Sequence, residues 1–150
     1  MGFNIVLIEP EIPTNTGNIG RLSLASGSTL HLVKPFGFEI DDKRLKRAGL
    51  DYWKHINLNI YENTEEFFLK NEGANMVYLS ALAENNYCLI DYKDEMFFVF
   101  GKESVGLSKE ILLNNSDKSY SIPIHSRHVR SLNLANAISI VIYEGLRNLK

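Results

Sequence analysis

Four short segments carry apolar residues at successive positions, and they constrain the fold more than anything else in the chain. They are Asn4-Ile5-Val6-Leu7-Ile8, Thr29-Leu30-His31-Leu32-Val33, Met76-Val77-Tyr78-Leu79 and Met96-Phe97-Phe98-Val99-Phe100. A strand with one face in water alternates apolar and polar side chains, so a strand apolar throughout must be covered on both faces. Ile56 to Tyr61 alternates as a further strand, and Tyr120-Ser121-Ile122 makes a last short one. Helices are predicted between them: Asn18 to Ser26, stopped at Gly27; a short charged helix from Asp41 to Ala48; one capped by Thr64 and running to Lys70; and one capped by Ser108 and running to Leu113. From Leu134 onward, Leu134, Ile138, Val141, Ile142, Leu146 and Leu149 recur at helical spacing, so that helix is predicted to reach the end of the chain. Alternating strands and helices of this kind predict an α/β fold, a mostly parallel sheet with helices on both faces. At 150 residues, without a repeat or linker, one domain spanning 1–150 is expected.

The charge balance narrows the function. A formal net charge of -2 excludes a polycation, so any contact with nucleic acid must come from a local patch. Cys88 is the only cysteine, which excludes an internal disulfide or a cysteine-based metal cluster. No apolar run is long enough to span a membrane, and Asn4, Glu9 and Glu11 interrupt any signal-peptide pattern; the expected location is the cytoplasm.

Four constellations carry possible chemistry. The first follows the first strand: Pro10-Glu11-Ile12-Pro13-Thr14-Asn15-Thr16-Gly17-Asn18-Ile19-Gly20-Arg21. Open parallel sheets bind ligands outside the carboxyl ends of their strands. Asn18 and Arg21 share a helical face, and the planar fork of Arg21 suits a phosphate. A proline-stiffened loop with Asn15 or Thr16 as the helix cap explains one of these residues, not the set. The second is Phe100-Gly101-Lys102-Glu103-Ser104-Val105-Gly106-Leu107. Its two glycines have P-loop spacing, but Leu107-Ser108 stands where Lys-Ser or Lys-Thr is required, which argues against triphosphate binding. Glu103 reads equally as a helix-start charge or as a site carboxylate.

The third runs from Ile122 to Asn136. His125 and His128 lack the further ligands that zinc needs, so no metal site is expected. Arg130-Ser131-Leu132-Asn133-Leu134-Ala135-Asn136 offers more polar groups than a helix entrance requires. Ser131 or Asn133 can cap the helix, and the surplus suggests that something is held there. The fourth, from Asp41 to Trp53, sets Lys43, Arg44, Lys46 and Arg47 before Tyr52 and Trp53. Cations follow phosphates and aromatic faces stack on bases, although a solvated helix explains this stretch by itself.

Taken together, the motifs resemble the SPOUT class of RNA methyltransferases, and within it the small tRNA (cytidine/uridine-34-2'-O)-methyltransferases of the TrmL type. The resemblance covers essentially the whole chain. It rests on Glu9-Pro10-Glu11-Ile12-Pro13 with Asn15-Thr16-Gly17-Asn18 and Arg21, and on Asp41-Asp42-Lys43-Arg44 with Arg47-Ala48-Gly49-Leu50-Asp51-Tyr52. Phe100-Gly101 with Glu103 and Gly106-Leu107, and Ile122-Pro123 with Arg130-Ser131-Leu132-Asn133-Leu134 and Asn136-Ala137, complete it. Ala135 departs from the pattern, which has Ser there, and the loop His125 to Val129 carries an extra cation, Arg127.

The resemblance implies a C-terminal trefoil knot, a homodimer, and S-adenosyl-L-methionine held largely by backbone groups. By position it assigns that pocket to Leu79, Gly101, Ile122, Ser131 and Leu132. It implies 2'-O-methylation of C or U at position 34 in the anticodon stem-loop of tRNA, with leucine isoacceptors as substrates. Arg21 is then the expected key polar residue, gripping a phosphate beside the target ribose. Asn15, Glu103 and Asn133 are the candidates for orienting Arg21 or the ribose. Two other functions fit the same motifs: a knotted RNA- or cofactor-binding module without catalysis, and a 2'-O-methyltransferase acting on rRNA.

Overall fold

The computed structural model describes residues 2–39, 43, 44, 47 and 50–149. Among these residues the strands are β1 (Asn4–Ile8), β2 (Thr29–Val33), β3 (Leu58–Tyr61), β4 (Met76–Leu79), β5 (Asn85–Asn86), β6 (Phe97–Phe100) and β7 (Ser119–Ser121). They form one sheet in the order β3-β2-β1-β6-β4-β7-β5. Every pairing is parallel. The helices are α1 (Pro13–Ala25), α2 (Thr64–Lys70), α3 (Lys109–Asn114) and α4 (Leu134–Asn148).

Both faces of the sheet are covered, as the uninterrupted apolar strands require. Ile5 and Leu7 of β1, Leu30 and Leu32 of β2, Val77 and Leu79 of β4, and Phe98 and Phe100 of β6 point into one core, which holds Ile19 of α1 and Ile138, Val141 and Ile142 of α4. The alternate residues Val6, Ile8, Val33, Met76, Tyr78 and Val99 point into a second core with Phe67 of α2, and Ile111 and Leu112 of α3 pack against it. A polar residue, His31, is buried in β2 between the Tyr61 hydroxyl and Asn4 Oδ1, each at 2.8 Å.

Several boundaries differ from those expected, each for a local reason. Ile56 does not begin β3; it packs on α1 at Gly20, and β3 starts at Leu58. Asn63, not Thr64, caps α2: Asn63 is extended and its Oδ1 accepts the Glu66 N–H at 2.8 Å, while Glu66 Oε2 accepts the Glu62 N–H at 2.8 Å. The expected caps Ser108 and Asn133 are both in place, accepting from the Ile111 and Asn136 amides at 3.2 Å. The two-residue strand β5 and the 3-10 segments Leu50–His55, Tyr87–Leu89 and Ser116–Lys118 had no signal in the sequence. The predicted helix from Asp41 to Ala48 falls largely outside the described residues.

The strand order fixes where a site can form. From β1 the chain adds β2 and β3 on one side, then returns to fill the other side beyond β6. Crevices at such a reversal, at the carboxyl ends of the strands, are where open α/β sheets hold ligands. Leu7 is in register with Phe100, so the loops leaving β1 and β6 emerge side by side.

Candidate active site

The segment after β6 turns back on itself: Lys102 and Gly106 pair as an antiparallel bridge, with the Gly106 N–H donating to the Lys102 carbonyl at 2.8 Å. A Cβ on Gly101 would collide with the backbone of Gly106 and Leu107. Glycine at 101 is therefore required by the turn itself, whether or not a ligand approaches it. Gly106 has φ +72, a conformation that glycine adopts without strain.

The turn presents Glu103 to the start of α1. Its Oε1 accepts the Glu11 N–H at 2.8 Å, and its Oε2 accepts the Ile12 N–H at 3.0 Å and Asn15 Nδ2 at 3.2 Å. Glu11 answers in kind, its Oε1 accepting the Ser104 N–H at 2.8 Å. The backbone and side-chain hydrogen bonds from Ser104 hold the Glu11 carboxyl below its ordinary range. Glu9 pairs with Lys102 at 3.0 Å, and that bond raises the lysine above its usual value. The loops after β1 and β6 are thus laced by reciprocal bonds.

This lacing explains why α1 begins at Pro13, ahead of the predicted Asn18. Proline suits the first helical position because its fixed φ is already helical. Ile12, the N-cap residue, offers no side-chain cap. Glu103, from the loop after the neighbouring strand β6, instead satisfies the amides just ahead of the helix and brings a negative charge to its positive end. Asn15 is consequently a buried residue inside the helix rather than its cap. Asn133 Nδ2 donates to Asn15 Oδ1 at 3.1 Å, while Asn133 Oδ1 caps α4. One hydrogen-bond chain, Glu103–Asn15–Asn133, therefore joins the β6 turn, α1 and α4. Each of these side chains is engaged within the protein, so their contribution to a site is to hold its walls.

Arg21 stands apart from that chain. It lies six residues beyond Asn15, about 240° further around the helix. Its guanidinium carbon sits 4.9 Å from the ring centroid of Tyr52, and both side chains are exposed. Asn18 is exposed one turn earlier. The expected orienting partners of Arg21 were Asn15, Glu103 and Asn133; the contact present is with Tyr52.

Three of the five residues assigned by resemblance to a cofactor pocket, Leu79, Gly101 and Ile122, fall at one edge. Leu79 is paired with Phe100 and with Tyr120, so the carboxyl ends of β4, β6 and β7 lie adjacent. This brings Leu79, Gly101 and Ile122 together, Leu79 buried and Ile122 packed on the core. Ser131 and Leu132 are exposed in the loop leading to Asn133. Positions 124–132 belong to no helix or strand; the chain turns at Arg127 and His128, where the His128 N–H donates to Ser126 Oγ at 3.1 Å. Their amides and carbonyls are the donors and acceptors that an adenosyl group needs, and Leu79, Ile122 and Leu132 supply apolar walls, so the residues present fit such a cofactor. The same loop exposes His125, Arg127, His128 and Arg130. No group of three or more His, Cys, Asp or Glu among the described residues is placed to hold a metal.

Sequence reasoning missed Glu11 and Lys102 as the partners that lock the two loops. The charge pattern Glu9-x-Glu11 opposite Lys102-Glu103 was visible, but not its pairing across the sheet.

Residues 2–143 match the model of the SpoU rRNA methylase family. The chain belongs to that family. A tRNA (cytidine(34)-2'-O)-methyltransferase of Methylovorus glucosotrophus is 42% identical over 146 residues, covering 97% of this chain and 94% of that protein. A Listeria monocytogenes protein with a provisional assignment to the same activity is 48% identical over 150 residues, 98% of this chain and 88% of its own. A solved structure described as giving insight into 2'-OH methylation of C/U34 on tRNA superposes with a TM-score of 0.94 at 38% identity, covering 98% of this chain and 95% of that one. An AdoMet-bound rRNA methyltransferase from Sinorhizobium meliloti gives a TM-score of 0.87 at 27% identity, over 99% of this chain and 57% of that one.

Proposed function

We propose that this protein methylates the ribose 2'-oxygen of the wobble nucleotide, C or U at position 34, in the anticodon stem-loop of tRNA, leucine isoacceptors included. The observation that carries this reading is the 42% identity, over 97% of the chain, to a protein named for that reaction. S-adenosyl-L-methionine, bound by Leu79, Gly101, Ile122, Ser131 and Leu132, supplies an activated methyl group.

The chain's own residues then have three tasks. The laced loops hold the cofactor edge and the helix starts in fixed relation, because alignment of the reacting atoms is the main contribution left to the protein. Glu103 and Asn133 act through Asn15 as positioning groups. Arg21 grips the phosphate beside the target ribose through its N–H fork, and that phosphate's free oxygen takes the 2'-hydroxyl proton as the oxygen accepts the methyl group.

The reading includes a C-terminal trefoil knot around the cofactor loops, a single domain, a cytoplasmic location and a homodimer. Exposed apolar side chains support the dimer: Ile140 and Tyr143 on α4, with Val129 on the loop before it. None of the described helices is long and apolar enough to cross a membrane.

The test is Arg21→Ala assayed for methyl transfer to unmodified tRNA and, in parallel, to unmodified rRNA. Loss of transfer to tRNA with cofactor binding retained is expected. Near-normal turnover would remove Arg21 from the mechanism. Transfer by the parent protein to rRNA alone would replace the tRNA reading, and cofactor binding without transfer to either RNA would make the protein a binding module.

A further inference from the structure

Gly20 and Arg21 are neighbours on α1 with linked roles. Gly20 has no room for a side chain, since a Cβ there would lie 2.7 Å from Ile56 Cδ1 and 2.9 Å from Trp53 Cζ3. The segment Leu50–His55 is thus seated in a notch on α1, with Trp53 half-buried against the main core. With Trp53 in the notch, the residue before it falls beside the residue after Gly20. Tyr52 accordingly lies under the Arg21 guanidinium, 4.9 Å from centroid to guanidinium carbon.

This contact bears on what an exposed arginine can do. A free arginine side chain samples many rotamers, and holding it in one costs entropy. A cation within about 6 Å of an aromatic face is attracted to the ring quadrupole. A guanidinium held against a ring keeps its N–H edges and its outer face open for a phosphate. Tyr52 is itself 40% exposed, so the pair sits at the surface where RNA can reach it. Lys43, Arg44 and Arg47, all exposed, lie a few residues upstream.

We infer that Tyr52 is a positioning residue for methyl transfer, its ring holding the Arg21 guanidinium ready to receive the RNA phosphate. The inference rests on the reading of Arg21 given above. The contact uses the ring face, so the Tyr52 hydroxyl is dispensable and phenylalanine suffices.

The experiment uses the full chain with S-adenosyl-L-methionine and unmodified tRNA, comparing Tyr52→Phe, Tyr52→Met, Arg21→Ala and the Arg21→Ala/Tyr52→Met double variant. Methionine keeps apolar bulk but removes the ring. Tyr52→Phe should stay within about twofold of the parent protein, while Tyr52→Met should lower kcat about three- to fivefold, the effect expected of an exposed cation–π contact. Cofactor affinity and Tm should not change. In the Arg21→Ala background, its residual transfer read in single turnover with enzyme in excess, Tyr52→Met should cost nothing further, since the interaction it removes is already gone. Parent-like activity of Tyr52→Met alongside an inactive Arg21→Ala overturns this inference and leaves the Arg21 reading standing. An equal loss from Tyr52→Met in both backgrounds also overturns it, because the ring would then stack on a base or support packing. Near-normal turnover of Arg21→Ala defeats the reading on which both depend.

Discussion

Replacing Glu103 by Gln tests whether the laced loops matter to catalysis. The carboxylate takes three donors, the Glu11 and Ile12 amides and Asn15 Nδ2, on two oxygens. Glutamine has one acceptor oxygen. If that oxygen stays on the Glu11 amide, the new NH2 group faces the Ile12 amide and Asn15. If it flips, the NH2 group faces the Glu11 amide. Either way at least one charge-assisted bond is lost and two donors oppose each other. A hydrogen bond to a charged group contributes about 1.5–3 kcal/mol, so about 2–3 kcal/mol of ordering is removed from the start of α1. At 1.36 kcal/mol per decade this is a loss of about 30- to 150-fold in kcat/KM for tRNA methylation. The chain should remain folded by circular dichroism, because the Glu103 bonds lie outside both apolar cores. Hydrogen exchange at the Glu11 and Ile12 amides should accelerate in step. Activity within threefold of the parent protein, with unchanged exchange at those amides, would refute the argument that Glu103 organises the site.

Three further outcomes follow from named contacts. Asn133→Asp keeps an oxygen to cap α4 but loses the donor to Asn15, and if the lost bond and the new oxygen–oxygen contact cost about 1.4 kcal/mol, Tm should fall by a few degrees and kcat/KM about tenfold; parent-like activity at the lowered Tm would make Asn133 purely structural. Burial pushes His31 down to about 4, and its Nε2–H donates to Asn4 Oδ1 while Nδ1 accepts from Tyr61. The native ring is neutral and the unfolded one takes up a proton below about 6.5, so stability is full above that pH and falls towards pH 4, by about 2 kcal/mol between pH 7 and 5. Urea unfolding at fixed protein concentration should show this slope flattened in His31→Gln. The Thr16 hydroxyl is buried without a partner among the described residues, so Thr16→Val should raise stability by about 1 kcal/mol in the same assay; a loss would mean that the hydroxyl is bonded in solution.

Much of the site was legible as parts and little of it as an assembly. The residues after β1, after β6 and before α4 stood out because their polar groups exceeded what turns and caps require. Capping at Ser108 and Asn133 was readable because it is a local bond between a side chain and an amide three residues on. The cap of α1 was not, because Glu103 supplies it from a distant segment. Asn15 had offered itself as a possible cap, since a short amide near a helix start often is one, but it lies inside the helix. Tyr52 was noted as an aromatic residue near cations, but its pairing with Arg21 depends on how Trp53 docks at Gly20.

The sequence by itself determined the layered α/β architecture, because strands that are almost continuously apolar must be covered on both faces. It also determined most helix ends, which depend on bonds spanning only a few residues. Tertiary structure decided the rest: the order β3-β2-β1-β6-β4-β7-β5, the pairing of Glu103 with the start of α1, and the stacking of Arg21 on Tyr52. These join residues far apart in the chain, and the physical reason they escape a linear reading is the same in each case. Which loops and helix faces meet is set by strand order, register and packing, which the two apolar cores impose collectively and no single segment encodes.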